Sequence, residues 1–268
     1  MRALLARVTA RLAEAGVDSP RVDAELLVAH ALGVPRSRLL LADPPADERA
    51  VDDLVARRAA REPLQHVLGT AVLGPVEVAV GPGVFVPRPE TEVLLAWVLD
   101  HPAGVVVDLC TGSGALAMAV AHDRPDAVVH AVEADPEALT WARRNLAGSG
   151  VVLHEADVTA PGVLADLAGT VDLVVSNPPY VPDGVAVSPE VAADPHDAVF
   201  AGPDGLAVIR PLATLAHRLL RPGGAVGIEH DESHPAAVRE VLTAAGFAEV
   251  TTLADLAGRA RVATARRF

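Results

Sequence analysis

Apolar residues recur at helical spacing through the first sixty positions: Leu4, Leu5, Val8 and Leu12, then Leu26, Leu27, Ala31 and Leu32, then Val51, Leu54 and Val55. Gly16 and Gly33 end the first two runs, and Ser19-Pro20 supplies an N-cap and a first-turn proline for the second. A short helix through Leu39, Leu40 and Leu41 breaks at Pro44-Pro45, and a fourth is predicted from about Asp47 to Arg61. A helical bundle of this size is marginal alone, because so small a domain buries little of its surface. It is therefore expected to lean on the remainder of the chain or on a partner.

Between Pro63 and Pro89 the pattern changes to β-branched residues with glycines. Val76 to Val80 alternates, Gly81-Pro82-Gly83 turns, and Val84-Phe85-Val86 returns, which predicts a hairpin. The hairpin delivers Val86-Pro87-Arg88-Pro89-Glu90-Thr91-Glu92 to a helix containing Leu94, Leu95, Trp97 and Val98, with Glu90 and Glu92 expected in its first turn. From Val105 onward strands and helices alternate. Strands are predicted at Val105–Leu109, Val128–Glu133, Val151–Glu155, Val171–Ser176 and Gly224–Glu229, with helices from Ala115, over Pro136–Ala147 and over Leu206–Leu220. A final helix, Pro235–Ala245, precedes Glu249–Leu253 and Ala260–Arg266, an antiparallel pair at one edge. The fold class is α/β, a doubly wound sheet of seven strands. The expected domains are a helical bundle over 1–70, a β-hairpin linker over 71–90 and a sheet domain over 91–268.

Charge narrows the function. The net charge is −13 over 268 residues, and all basic residues are arginines without an evident stripe, so a nucleic-acid backbone is a disfavoured main ligand and no direct nucleic-acid contact is expected. The single cysteine, Cys110, excludes an internal disulfide and fits a reducing cytosol, so a cytoplasmic location is expected. No signal peptide and no apolar stretch of membrane-spanning length is apparent.

Two stretches carry candidate chemistry. Asn177-Pro178-Pro179-Tyr180 follows the apolar run Val171–Ser176, so Asn177 should sit at the carboxyl end of a buried parallel strand, where open α/β sheets bind ligands. Asn177 offers a side-chain acceptor, Pro178 a carbonyl and Tyr180, the chain's one tyrosine, a flat ring, a set suited to a planar group bearing an NH2. The long loop from Val181 to Gly205 is expected to be functional. The second stretch, Asp108 to Gly114, joins a strand to a helix through Thr111, Gly112 and Gly114, whose backbone a ligand can approach at a helix N-terminus. Glu133 ends the next strand, where a carboxylate would bond ribose hydroxyls, and Asp157 ends the third, where one would meet an adenine amine. An aspartate in the glycine loop opposes a pyrophosphate but suits the ammonium and sulfonium of S-adenosylmethionine, and Ala117 stands where a dinucleotide site has its third glycine. Cys110 reads as a small buried filler, and His122, His130 and His154 show no metal-ligand spacing, so no metal is expected.

Taken with the helical first domain, these motifs resemble the peptide chain release factor N5-glutamine methyltransferases over nearly the whole chain. Asn-Pro-Pro-Tyr is shared with adenine N6 methyltransferases, whereas Pro87-Arg88-Pro89-Glu90-Thr91-Glu92 and the hairpin are more specific; Arg61-Glu62-Pro63-Leu64 and Glu229-His230 agree as well. Cys110 departs from the family's usual glycine, and Ala192-Ala193-Asp194-Pro195 departs from its usual Arg, aromatic, Glu, Pro, with Asp194 keeping a carboxylate before the proline. The resemblance implies a Rossmann-like methyltransferase sheet, S-adenosyl-L-methionine as cofactor, and methyl transfer to the glutamine of a release factor's Gly-Gly-Gln loop. It also implies catalytic Asn177, Pro178, Pro179 and Tyr180. Asp108, Thr111, Gly112, Gly114, Glu133, Asp157 and Asn177 would hold the cofactor. Phe85, Pro87, Arg88, Glu90, Asn177, Pro178 and Tyr180 would hold the substrate. Other readings are a DNA adenine methyltransferase, a nicotinamide-dependent oxidoreductase and a non-catalytic binding module; the charge, Asp108 and the intact Asn177–Tyr180 run respectively argue against them.

Overall fold

The structure, a computed structural model, describes residues 1–268 and divides into two compact units. The first comprises Met1–Thr70 together with Val187–Ala193; the second comprises Ala71–Ala186 and Asp194–Phe268.

The first unit is built from α1 (Arg2–Glu14), α2 (Pro20–Leu32), a 3₁₀ turn at Arg36–Leu41, α3 (Arg49–Ala59) and α4 (Leu64–Leu68). Leu4, Val8, Leu12, Leu27, Val28, Val51 and Val55 form its core. In α2 the buried face is Asp23, Ala24, Leu27, Val28 and Ala29; the predicted Leu26, Ala31 and Leu32 are only half buried. The shift has a cause in the core, because Asp23 accepts from the buried Arg58 Nε at 2.8 Å and draws that side of α2 inward. Ser19 occupies the N-cap but makes no side-chain capping bond. The short helix α8 (Pro189–Ala192), drawn from the loop after Tyr180, folds with this unit. Its Glu190 accepts from Arg58 at 2.8 Å and from Arg61 at 2.6 and 2.7 Å.

The hairpin differs from expectation in its partner strand. β1 (Thr70–Leu73) pairs with β2 (Val76–Ala79) across Gly74-Pro75, while Val84–Val86 forms no strand. The Val86 N–H donates instead to Asp194 Oδ1 at 3.2 Å, 108 positions away, so the predicted return strand has a different hydrogen-bond partner. The stretch expected as a linker packs within the second unit from Ala71 on.

The second unit continues with α5 (Thr91–Leu99), β3 (Val105–Leu109), α6 (Ala115–Asp123), β4 (Val128–Glu133), α7 (Pro136–Asn145), β5 (Val152–Glu155), a 3₁₀ turn at Ala165–Leu167 and β6 (Val171–Ser176). After α9 (His196–Val199) come α10 (Ile209–Leu219), β7 (Leu220–Glu229), α11 (Pro235–Ala244), β8 (Ala248–Ala254) and β9 (Ala260–Arg266). The seven strands run β5-β4-β3-β6-β7-β9-β8, parallel except for antiparallel β9, which pairs with β7 and β8. Alternation divides each central strand between two cores: Val106, Leu173 and Val175 face one, and Val107, Leu109 and Val174 face the other. Against the first core, α5 approaches β7 so closely that a Cβ on Gly227 would lie 2.7 Å from the Trp97 ring. The strand order reverses between β3 and β6, and that switch point places the carboxyl ends of β3, β4 and β6 around one crevice.

Candidate active site

The crevice is a cavity of about 510 Å³ lying wholly within the second unit, a volume suited to a cofactor-sized molecule. Nine of the predicted residues line it: Phe85, Pro87, Asp108, Thr111, Gly112, Glu133, Asp157, Asn177 and Pro179. Gly114, Arg88, Glu90, Pro178 and Tyr180 do not.

One end is built by the turn between β3 and α6. Asp108, 1% exposed, accepts from Thr111 Oγ1 at 2.6 Å, and burial pushes its carboxyl up to about 7. The turn passes through positive φ at Cys110 (61°) and Gly112 (56°), and a Cβ at Gly112 would meet nothing within 4 Å. Gly112 therefore opens backbone toward the cavity, and its N–H donates to Glu133 Oε2 at 2.8 Å. Glu133 Oε1 takes the N–H groups of Ala134 and Asp135, and each carboxylate oxygen has two acceptor sites, so Oε2 retains room for another donor. Asp157, exposed at the rim, accepts from Thr159. Burial and the carboxylates of Glu133 and Asp108 raise the Cys110 thiol, which is consequently protonated and a poor nucleophile. Buried carboxylate, open glycine backbone and a second carboxylate with spare acceptors fit an ammonium, sulfonium and ribose.

Phe85 and Pro87 form another wall. Its fixation comes from the loop after Tyr180: Asp194, buried, takes the Val86 N–H and pairs with Arg88, whose guanidinium carbon lies 5.2 Å from the Phe85 ring centroid. Asp194 thus anchors the wall. Glu90 turns away to Arg259 at 2.9 Å, and Glu92 accepts the Gly74 N–H at 2.8 Å. Gly114 caps α6 at φ 83° with Leu146 against its Cα.

At the edge, β6 ends on buried Ser176, whose Oγ donates to the Leu109 carbonyl at 2.6 Å and ties β6 to β3. Asn177 comes next, half buried, and its Nδ2 donates to Thr91 Oγ1 at 3.1 Å. Thr91 Oγ1 donates to Glu229 Oε2 at 2.9 Å, and Tyr180 Oη donates to Glu229 Oε1 at 3.0 Å. Tyr180 is thus engaged behind the cavity and not free in it.

Sequence reasoning assigned no role to Asn145 and none beyond resemblance to Glu229 and Thr91. Asn145, the last residue of α7, exchanges hydrogen bonds with Ala79 N and O at 2.9 Å and donates to the Ser113 carbonyl at 2.8 Å, clamping β2 to the glycine turn. No local pattern marks it. Glu229 does carry a signal, a glutamate closing an otherwise apolar strand.

Residues 3–69 match the PrmC N-terminal domain family and residues 76–194 the Methyltransferase small domain family. The chain is 54% identical to the release factor glutamine methyltransferase of Mycolicibacterium smegmatis, across 100% of this chain and 98% of that protein. It is 49% identical to the protein of the same name from Streptomyces coelicolor, across 98% and 96%. Among solved structures, a Pyrococcus furiosus methyltransferase superposes with a TM-score of 0.54 at 21% identity, over 72% of this chain and 89% of that one. The Thermus thermophilus 16S rRNA N2 G1207 methyltransferase, solved with AdoMet and guanosine, gives 0.53 at 22% identity, over 74% and 50%. These two likenesses establish the fold.

Proposed function

The chain belongs to the release factor glutamine methyltransferase family, and from that premise we propose which of its residues carry the reaction. It transfers a methyl group from S-adenosyl-L-methionine to a glutamine of peptide chain release factors. Bound S-adenosylmethionine supplies an electrophilic methyl on a sulfonium centre. Asp108 would receive the cationic end, Thr111 and the Gly112 turn would line its path, and Glu133 and Asp157 would take the ribose and adenine; all five residues line the cavity.

The acceptor is the side-chain amide of the glutamine in the Gly-Gly-Gln loop. Its nitrogen is a weak nucleophile because its lone pair is delocalised into the carbonyl. Asn177 Oδ1 and the Pro178 carbonyl each accept one of its N–H groups, which turns the lone pair toward the methyl. Fixed geometry of this kind supplies up to about 7–11 kcal/mol of barrier reduction, so no strong base is required. Phe85 and Pro87 close the far side, and Pro179 stiffens the turn. The observation that carries this reading is Asn177 at the carboxyl end of β6 beside the cavity that Asp108 and Glu133 line.

One glutamine offers too few atoms for selectivity, so contacts remote from the chemistry must supply it. We assign those to the helical bundle and to the acidic surface, which complements factors that engage RNA. The reaction serves translation termination in the cytoplasm; no helix of the protein is long and apolar enough to cross a membrane. The test is incubation with labelled S-adenosylmethionine and a release factor, and then peptide mapping. One methyl on the Gly-Gly-Gln glutamine is expected, and label elsewhere refutes the assignment. Asn177→Ala should lower kcat by about two to three orders of magnitude while cofactor affinity stays within a few-fold, the signature of a lost transition-state contact.

A further inference from the structure

Asn177 can accept from the substrate only if its amide oxygen, and not its NH2, faces the cavity. The two ends are nearly identical in shape, so packing alone selects weakly between them. The discriminating group is the hydroxyl behind them. Thr91 Oγ1, 4% exposed, has one proton and two neighbours, Asn177 and Glu229. Glu229 is 0% exposed and its two oxygens already receive Thr91 and Tyr180. An ionised carboxylate cannot donate, so the Thr91 proton must go to Glu229. Thr91 can then only accept from Asn177, which turns Nδ2 inward and leaves Oδ1 for the substrate.

We propose that Thr91 and Glu229 are positioning residues that set which end of the Asn177 amide faces the acceptor, through the direction of one buried hydrogen-bond chain. This rests on the catalytic role assigned to Asn177 above. Protonating Glu229 removes the direction. A neutral Glu229 can donate to Thr91, whose own proton is then free to go to Asn177 Oδ1; the flipped amide presents NH2 to the substrate's NH2, and the two repel.

The surroundings place that transition near neutrality. Burial raises the Glu229 carboxyl to about 7 against the hydrogen bonds from Thr91 and Tyr180 and the charge of Arg261 on β9, with Glu90 at the start of α5 acting in the raising direction. Glu90 is itself paired with Arg259. The Tyr180 phenol is raised by burial and by Glu229, so it remains a donor throughout. His230 follows Glu229 on the chain and is held below the usual imidazole range by burial, so it adds no opposing charge at neutral pH.

The test uses the full chain at saturating cofactor. Thr91→Val keeps the shape and removes the hydroxyl; kcat should fall about a hundredfold with KM changed less than about threefold, while Thr91→Ser restores kcat to within about threefold of wild type. In the wild type, kcat should rise with pH through about 7. Glu229→Gln, which can donate permanently, should have low kcat and lose that limb. A second readout needs no turnover and no variant: the Asn177 side-chain NH2 resonances should shift with a midpoint near 7 in the cofactor-free protein. If Thr91→Val retains wild-type kcat, or the Asn177 resonances do not move between pH 5.5 and 8.5, the inference is overturned. Wild-type protein that fails to methylate any release factor would instead overturn the catalytic reading beneath it.

Discussion

If Asp108 receives the cofactor's cationic end, as proposed, cofactor binding becomes a proton-linked event. The Asp108 carboxyl is buried in the cavity lining and raised to about 7 by that burial, with the Thr111 hydroxyl and the Ala117 backbone N–H as hydrogen-bond donors and no cation beside it. An arriving ammonium or sulfonium provides the missing charge and returns the group to its ordinary ionised state, so binding at acidic pH expels a proton. The cost of that deprotonation is RT ln(1 + 10^(7−pH)), about 2.1 kcal/mol at pH 5.5 and about 0.4 kcal/mol at pH 7.0. The difference of about 1.7 kcal/mol is about sixteenfold in affinity. The window stops at pH 7 because the cofactor's own amine begins to titrate near 8. Calorimetry in two buffers of different ionisation enthalpy reads both quantities: affinity should rise about sixteenfold from pH 5.5 to 7.0, with about one proton released at the lower pH and about half of one at the higher. Asp108→Asn should bind weakly and flatten the profile. A wild-type affinity that is constant across this window, with no proton release, would show that Asp108 does not face the cation and would refute the reasoning.

Glu133→Ala should weaken S-adenosylmethionine by about 1.5–3 kcal/mol, measured by calorimetry, because it removes a charged acceptor and leaves the Gly112, Ala134 and Asp135 N–H groups without their partner. Glu190→Gln should lower stability in denaturant titrations by about 2 kcal/mol, a value reduced for the partial exposure of Arg61. The hydrogen bonds from Arg61 and Arg58 hold the Glu190 carboxyl at about 2, below its ordinary 4.5. Its contribution is therefore present above pH 4.5 and lost as pH falls toward 2, a loss that the Gln variant should not show. Cys110, raised by burial, should resist iodoacetamide at pH 7.5 over hours in the native protein and react promptly once unfolded, as intact-mass measurement would record.

Local chemistry was enough to read the frame. The apolar runs at Val128–Glu133, Val171–Ser176 and Ala260–Arg266 became strands at those bounds, because β-branched residues closed by proline, glycine or charge leave little choice of period or end. The same runs located Asn177 and Glu133 at strand ends, and the glycines between Asp108 and Ala115 located the turn that lines the cavity. What the chain order could not reveal was pairing across distance. Val84–Val86 is as rich in strand formers as Thr70–Leu73, yet Thr70–Leu73 pairs with Val76–Ala79 while the Val86 N–H goes to Asp194, 108 positions away. His130 and His154 have no meaningful spacing along the chain, yet the neighbouring strands β4 and β5 bring their ring nitrogens to 2.9 Å. The polarity of Asn177 belongs to the same class. Thr91 and Glu229 lie 138 positions apart, and the folded sheet alone buries them together, where exclusion of water raises the carboxyl and makes the direction of a single proton decisive. Sequence thus determined which groups stand at the site, and tertiary burial decided how they are charged, which way they point and which of them act from behind.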